Sequence, residues 1–418
     1  MAELPRVNPT PRGLRLLVLG AVAVVLGVLV GIPIVAQWGV VLVGAVILGI
    51  VWLSLSTAAL GRGGVRIERR VTPHPTVVGR PATVRVDLTA AGHVLDSLEV
   101  EERAAPELTG AAAPRARLRR TPGRVTLVYR IDPARRGRWP VGPLHIRRRD
   151  PFGVADLDGP LGRPVDVAVR PRTVALPAVG RSFAMDLDRS ATGARAPSTD
   201  DVALRPYRTG DDLRRVHWRS SARRGELVVR QDERAARRPA SVLLDLPLDD
   251  DAAEWSISLA CSVALALSAA GHHVRLLAGD LDGPVAHLQP DPDGLSGAMI
   301  LDQAIDLTTP LDAAQRQFRV TAALEQIAAH PGPEIVVAVI GALAPDALAT
   351  LADLGQDGTA RALVRVGRPG DPTVTEAQAA TARALERSGW GVATVSPGED
   401  LAGTWQRLVA RDPVGMLR

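Results

Sequence analysis

The sequence predicts a fold of mixed class, α/β plus β. It comprises an N-terminal transmembrane helical hairpin, an antiparallel β-sandwich and a doubly wound parallel sheet. Three observations predict it: 46 uncharged residues from Leu16 to Gly61, then a period-two apolar pattern, then alternating strand-length and helix-length segments. The predicted boundaries are a tail at 1–15, the hairpin at 16–61, the β-sandwich at 64–172, a linker at 173–203, an arginine-rich segment at 204–238 and the α/β domain at 239–418.

The uncharged run is long enough for two membrane spans, because one span needs about 20 apolar residues. Gly31 and Pro33 mark the break between them. A signal peptide is the competing interpretation, but the run is too long for one and a second span follows at once. Arginines flank the run on both sides and the short loop between the spans is uncharged, so the positive-inside rule predicts a multi-pass protein of the cell membrane with both termini in the cytoplasm.

The charge of the chain is divided unevenly. All 50 basic residues are arginine; residues 1–240 carry 39 of them against 22 acidic residues, and residues 241–418 carry 11 against 23. The basic half contains the predicted hairpin, so anionic lipid accounts for its charge and no nucleic-acid partner is expected. The single cysteine, Cys261, lies in an apolar run and is expected to be a buried thiol.

The β-sandwich is predicted from alternating runs such as Val84–Leu88, Arg124–Ile131 and Val165–Val169. Proline and glycine separate these runs, as they do in antiparallel sheets. Gly142-Pro143 and the sequence Asp150-Pro151-Phe152-Gly153 are interpreted as turns between strands.

The arginine-rich segment carries the candidate site. Its residues are Tyr207, Gly210, Asp211, Asp212, Arg214, Arg215, His217, Trp218 and Arg223. Three interpretations stay open: a structural brace of arginine–aspartate pairs, a docking surface for a protein, and a phosphate or nucleic-acid site. The two aspartates disfavour the third, and no nucleophile–base pair accompanies them, so no catalytic residue is assigned.

The segment Leu204–Val229 resembles the signature of the bacterial domain of unknown function 58 (DUF58) family, and residues 136–157, with their Asp-Pro-Phe-Gly sequence, resemble a second family motif. The resemblance implies a C-terminal domain similar to a von Willebrand factor A domain. That fold often binds a metal through Asp-x-Ser-x-Ser after the first strand. Here Asp245 and Asp249 are weak candidate ligands, Pro247 removes one oxygen, and binding of Mg²⁺ or Ca²⁺ is not expected.

The resemblance also implies a function. It suggests a membrane-anchored, non-enzymatic binding or scaffold protein that assists a MoxR-type AAA+ ATPase, and other membrane proteins, in assembling a cell-envelope complex. The alternative is a metal-dependent hydrolase or nucleic-acid-processing enzyme that uses Asp211, Asp212 and His217.

Overall fold

The computed structural model divides the chain into two compact units, Met1–Arg170 and Pro171–Arg418, and each has its own hydrophobic core. The structure describes residues 5–59, 64–91, 95, 97–110, 115–177, 204–206, 218–230, 239–279, 285–291, 293–330, 334–354, 360–367 and 372–410.

Two apolar helices open the first unit. Thr10 caps α1 (Pro11–Val30) by accepting a hydrogen bond from the amide of Gly13, and α2 (Pro33–Ala59) follows after a left-handed Gly31. A Cβ atom at Gly27 would lie only 2.4 Å from the amide nitrogen of Ala36 in α2. Small residues thus let the two helix backbones approach closely, as in membrane helix pairs.

Both helices have the length and hydropathy of membrane spans over Pro11–Val30 and Pro33–Leu55. Their apolar side chains are largely exposed; examples are Leu19, Val28, Leu29, Val40, Ile47, Leu48 and Leu55. A soluble surface rarely carries so large an apolar area, so the helices fit a lipid environment. The helix Asp250–Ala269 meets the same criteria but is mostly buried in the core of the second unit.

The rest of the first unit is a β-sandwich. Its elements are β1 (Arg6–Pro9), β2 (Val65–Thr72), β3 (Thr76–Val77), β4 (Ala82–Ala90), β5 (Glu99–Ala104), α3 (Pro106–Thr109), β6 (Arg117–Thr121), β7 (Arg124–Ile131), β8 (Gly137–Arg149), β9 (Ala155–Leu161) and β10 (Val165–Arg170). One sheet has the order β2-β4-β7-β6, and the other β1-β9-β8-β10-β3 with β5 also paired to β8. The strand pairs are antiparallel except β10–β3, and alternate side chains such as Val84, Val86 and Leu88 enter a core shared with Leu144 and Leu157.

Two sequence interpretations need correction here. Part of the predicted tail is a strand, since Arg6–Pro9 pairs with β9 and the first helix already begins at Pro11.

Gly142-Pro143 is not a turn but lies inside β8, where the pairing with β5 shifts register. Proline has no N–H for a ladder, which suits such an irregular point. Gly142 also makes room for a buried ion pair between Arg69 and Glu102, because a Cβ there would meet the Arg69 guanidinium at 2.7 Å.

The second unit contains the parallel sheet that the sequence predicts. Its elements are β11 (Leu204–Pro206), α4 (Trp218–Arg224), β12 (Val228–Arg230), β13 (Pro239–Leu244), α5 (Asp250–Ala269), β14 (His273–Leu277), α6 (Leu295–Ile305), α7 (Ala313–Ala328), β15 (Ile335–Ile340), α8 (Pro345–Asp353), β16 (Ala360–Arg365), α9 (Pro372–Arg387), β17 (Gly391–Val395) and α10 (Leu401–Ala410). The sheet order is β14-β13-β15-β16-β17, and all of its strand pairs are parallel.

Helices cover both faces of this sheet. Helices α5, α6 and α10 contribute to one core, in which Val242 of β13 lies with the buried Cys261. The next residue along β13, Leu243, enters the other core with α7, α8 and α9. Successive strand residues therefore point to opposite buried faces, which explains why most residues of these strands are apolar.

Candidate functional site

The structure describes only part of the predicted arginine-rich site. Trp218 and Arg223 lie on α4. The other predicted site residues lie outside the described part of the chain: Tyr207, Gly210, Asp211, Asp212, Arg214, Arg215 and His217. The choice between brace and docking surface therefore depends on α4 and its neighbours.

Helix α4 is framed by a two-stranded ladder. Leu204–Pro206 pairs antiparallel with Val228–Arg230, so the two ends of the segment meet. The hydroxyl of Ser221 accepts a hydrogen bond of 3.0 Å from the amide of Val228, whose side chain is buried. These contacts hold α4 against the following strand.

Both predicted site residues on α4 face solvent. Trp218 is 64% exposed and Arg223 is also exposed. An exposed indole is costly to leave in water, and tryptophan and arginine are the residues most enriched in interface hot spots. The described part of the segment thus has the composition of a docking surface.

The most densely bonded polar group in the second unit is Asp245, the residue after β13. It is buried, and its carboxylate accepts bonds of 2.7 and 2.5 Å from Nε and Nη2 of Arg316 on α7. Arg365, at the end of β16, donates to the same carboxylate at 2.9 Å, and the amide of Gly341 donates at 2.8 Å. A second nitrogen of Arg365 donates to the Asp245 carbonyl oxygen. We call Asp245, Arg316, Gly341 and Arg365 the Asp245 cluster.

The electrostatics of the cluster keep Asp245 ionised. Burial acts to raise the pKa of Asp245, but the charges of Arg365 and Arg316, with the hydrogen bonds from Arg316 and Gly341, outweigh it and lower this pKa below its ordinary value. Burial lowers the pKa of Arg365, yet arginine stays charged at any physiological pH. The cluster is therefore a buried site with two positive charges and one negative charge.

The Asp245 cluster does not fit a divalent cation. Both carboxylate oxygens of Asp245 already accept guanidinium or amide hydrogens. Asp249, the other weak candidate ligand, caps α5 by accepting a 2.8 Å bond from the amide of Ala252. Among the described residues, no three His, Cys, Asp or Glu side chains come together in a way that could hold a metal. A divalent cation needs free oxygen ligands, but Arg316 and Arg365 already bond to the oxygens of Asp245.

The Asp-Pro-Phe-Gly sequence forms a turn beside the two apolar helices. Asp150 is buried, and its carboxylate accepts bonds from the amides of Phe152 at 2.8 Å and Ala155 at 2.6 Å. The Thr10 hydroxyl donates to the Gly153 carbonyl at 2.7 Å, and the Thr10 amide donates to the carbonyl of Val154 at 2.9 Å.

Two helix glycines pack against this turn. A Cβ at Gly13 of α1 would lie 2.0 Å from the carbonyl oxygen of Val154, and one at Gly49 of α2 would lie 2.7 Å from the Val154 side chain. The turn therefore joins the sandwich to both apolar helices. This is a structural role, which is the interpretation that the sequence favours over a binding loop.

A second buried polar cluster lies near the amino ends of the parallel strands. Glu334, just before β15, accepts bonds from His287 Nε2 at 2.6 Å, from Arg275 at 3.1 Å and from the Ser241 hydroxyl. Arg275 also donates to Ser241 at 2.6 Å and contacts His330 at 3.2 Å. Ser241 and His287 both bond to Glu334 rather than to each other, so this is not a nucleophile–base pair.

This cluster gives a pH prediction. Burial acts to raise the pKa of Glu334, but hydrogen bonds from His287 and Ser241 and the charge of Arg275 outweigh it, so the pKa lies below the ordinary value. Because the pKa of Glu334 is lower in the folded than in the unfolded protein, its ionised form stabilises the fold. This stabilisation is complete at pH values above the pKa of an unfolded glutamate, and it is lost as the pH falls through the folded-state pKa. We expect unfolding to become easier below about pH 4.5.

Chemical denaturation between pH 7 and pH 3 measures this loss. In the matched variant Glu334→Gln the acid-dependent loss should be smaller by about 2 kcal/mol, the scale of hydrogen bonds to a charged group. An identical pH profile for the two proteins would contradict the assignment.

Comparison with known families gives one match. The family model described as "Protein of unknown function DUF58" matches residues 203–368, a range that contains α4 and the whole Asp245 cluster. No curated protein matches the chain at a significant level. Residues 203–368, less than half of the chain, therefore match the DUF58 family of proteins of unknown function.

Proposed function

We propose that this protein is a membrane-anchored scaffold that acts by binding another protein. The exposed apolar helices α1 and α2 support the anchor. The single observation that carries the binding role is the exposure of Trp218, 64% open to solvent on a helix inside the family match. Together they favour a protein held at the cell membrane that presents an aromatic docking surface.

The proposal extends to topology and partner. Both termini lie in the cytoplasm, as the flanking arginines indicate. The partner is a MoxR-type AAA+ ATPase, and the joint task is assembly of a cell-envelope complex; this step rests on family analogy. The second unit serves as a von Willebrand A-like domain, a likeness supported by an aspartate directly after its first parallel strand and by helices on both faces.

Replacing Trp218 by alanine tests the binding role. The full chain is purified in detergent, and its affinity for the purified MoxR-type ATPase of the same cell is measured by surface plasmon resonance. A hot-spot tryptophan contributes about 2 kcal/mol or more, so Trp218→Ala should bind close to thirtyfold more weakly. Phe318→Ala is the matched control, because Phe318 is 72% exposed in the same unit but lies on α7.

Two results would count against this proposal. If Trp218→Ala binds the ATPase as tightly as the unaltered protein does, α4 is not part of the interface. A turnover that disappears in Asp212→Ala, with folding and partner binding intact, would instead support the alternative of an enzyme that uses Asp211, Asp212 and His217.

A further inference from the structure

The Asp245 cluster lies where open parallel sheets commonly bind ligands. The order β14-β13-β15-β16-β17 reverses direction between β13 and β15, since the chain first moves outward to β14 and then crosses back. Ligands of such sheets bind outside the carboxyl ends of the strands at this switch point. Asp245 follows β13 and Gly341 follows β15, so the cluster occupies that location.

A cleft opens beside the cluster. It has a volume of about 250 Å³ and is lined by Ala313, Arg316, Gln317, Val320, Ala342, Leu343, Ala344 and Ala347. Arg316 is the only charged side chain of this lining, and its side chain is 25% exposed, whereas those of Asp245 and Arg365 are almost fully buried. Arg316 is therefore the member of the cluster that a ligand in the cleft can reach.

One edge of the Arg316 guanidinium is unused within the described residues. Its Nε and Nη2 atoms donate to Asp245, and Nη2 also donates to the Ala342 carbonyl, but no described group accepts a bond from Nη1. The cluster also holds one more positive than negative charge. An accessible guanidinium with spare donors attracts an oxyanion.

The first turn of α8 borders the cleft, since both Ala344 and Ala347 line it. A helix start favours negative charge, and Asp346 in this turn already supplies one. The group that attracts an anion into the cleft is therefore Arg316. The remaining lining of alanine, leucine and valine suits a short aliphatic group.

We propose that the cleft beside Arg316 binds an aliphatic carboxylate. The Asp245 cluster has one surplus positive charge. A carboxylate, with one negative charge, balances that surplus, whereas a doubly charged phosphate would exceed it. The small volume fits either a free short-chain acid or an acidic side chain of a polypeptide. This inference does not depend on the partner or the topology proposed above.

Equilibrium dialysis of the full chain in detergent tests the site, with radiolabelled butyrate as the probe, low chloride, and empty micelles in both chambers as the blank. The expected result is saturable binding of one butyrate per chain. Arg316→Gln should weaken it at least tenfold, and Ala313→Trp should weaken it similarly by filling the cleft without touching the ion pairs. Arg383→Gln, which removes an exposed arginine of α9, should bind as the unaltered protein does.

A second probe distinguishes the two sources of the carboxylate. N-acetyl-glutamate methylamide mimics an acidic side chain in a polypeptide, and tighter binding of it than of butyrate would indicate a protein ligand; the reverse order would indicate a free acid. The proposal is overturned if neither probe saturates, or if Arg316→Gln and Ala313→Trp, each with an unchanged melting temperature, bind like the unaltered protein.

Discussion

Replacing Asp245 by alanine is expected to lower the free energy of unfolding of the second unit by about 3–5 kcal/mol. The carboxylate balances Arg316 and Arg365, and the Arg365 side chain is only 4% exposed. Without the Asp245 carboxylate, two guanidinium groups would face each other in a buried site, and the three hydrogen bonds that they donate to that carboxylate would be lost. A buried charge that loses its partner is among the most destabilising single changes known in proteins.

Urea denaturation of the full chain in detergent measures this loss, because Trp390 and Trp405 are buried in the second unit and report its unfolding by fluorescence. Asp249→Ala is the matched control; it removes only a helix cap at the start of the next helix and should cost about 1 kcal/mol. If Asp245→Ala were no more destabilising than Asp249→Ala, the cluster would not be the electrostatic centre of the unit.

Replacing Gly13 by alanine is expected to weaken the packing of the apolar helices against the sandwich by about 1–3 kcal/mol. The added methyl group would lie 2.0 Å from the backbone oxygen of Val154, which has no flexible end that could move aside. Helix α1 must therefore shift, and the Thr10 bonds to Gly153 and Val154 must lengthen or break.

Hydrogen exchange followed by mass spectrometry locates this effect in the peptide Asp150–Leu157. Its amides should exchange about 5- to 150-fold faster in Gly13→Ala, the rate change that corresponds to 1–3 kcal/mol of local opening. Gly44→Ala is the control, because a Cβ at Gly44 of α2 meets nothing within 4 Å. Alanine favours a helix interior over glycine, so that variant should exchange no faster than the unaltered protein. Equal exchange rates in Gly13→Ala and Gly44→Ala would contradict the close packing of Gly13 against the turn at Val154.

Periodicity and charge predict the large elements because these are local properties of the sequence. The uncharged run gives the two apolar helices, and the strand Arg124–Ile131 is confirmed with its predicted bounds. The short strand Arg6–Pro9 could not be predicted, since its four residues show no alternation and its place depends on β9, far along the chain. Helix α6 was missed because its N-cap residue is Gly294, while the carboxylate that accepts bonds from its first amides belongs to Asp291, four residues before the helix begins.

The Asp245 cluster could likewise not be predicted in full, because its residues are far apart in the sequence. Asp245 could be found from the family resemblance, but its partners Arg316 and Arg365 lie 71 and 120 residues away in sequence. One signal was available. The strand β16 is apolar apart from its two arginines, and a buried arginine must be paired because burying a lone charge costs too much free energy. Spacing alone could not name the partner, so the sequence offered Asp245 only as a weak candidate metal ligand, and its place in a salt-bridge cluster comes from the structure.

The proposed scaffold role requires the chain that follows the apolar helices to lie on the cytoplasmic side of the membrane. A reporter fused after Arg418 measures this, with one version active only in the cytoplasm and a second active only outside it. Arginines flank both ends of the hairpin and none lies in its short loop, so we expect signal from the cytoplasmic version alone. Signal from the external version would contradict the account, because an AAA+ ATPase that consumes cytoplasmic ATP could then not reach the exposed Trp218.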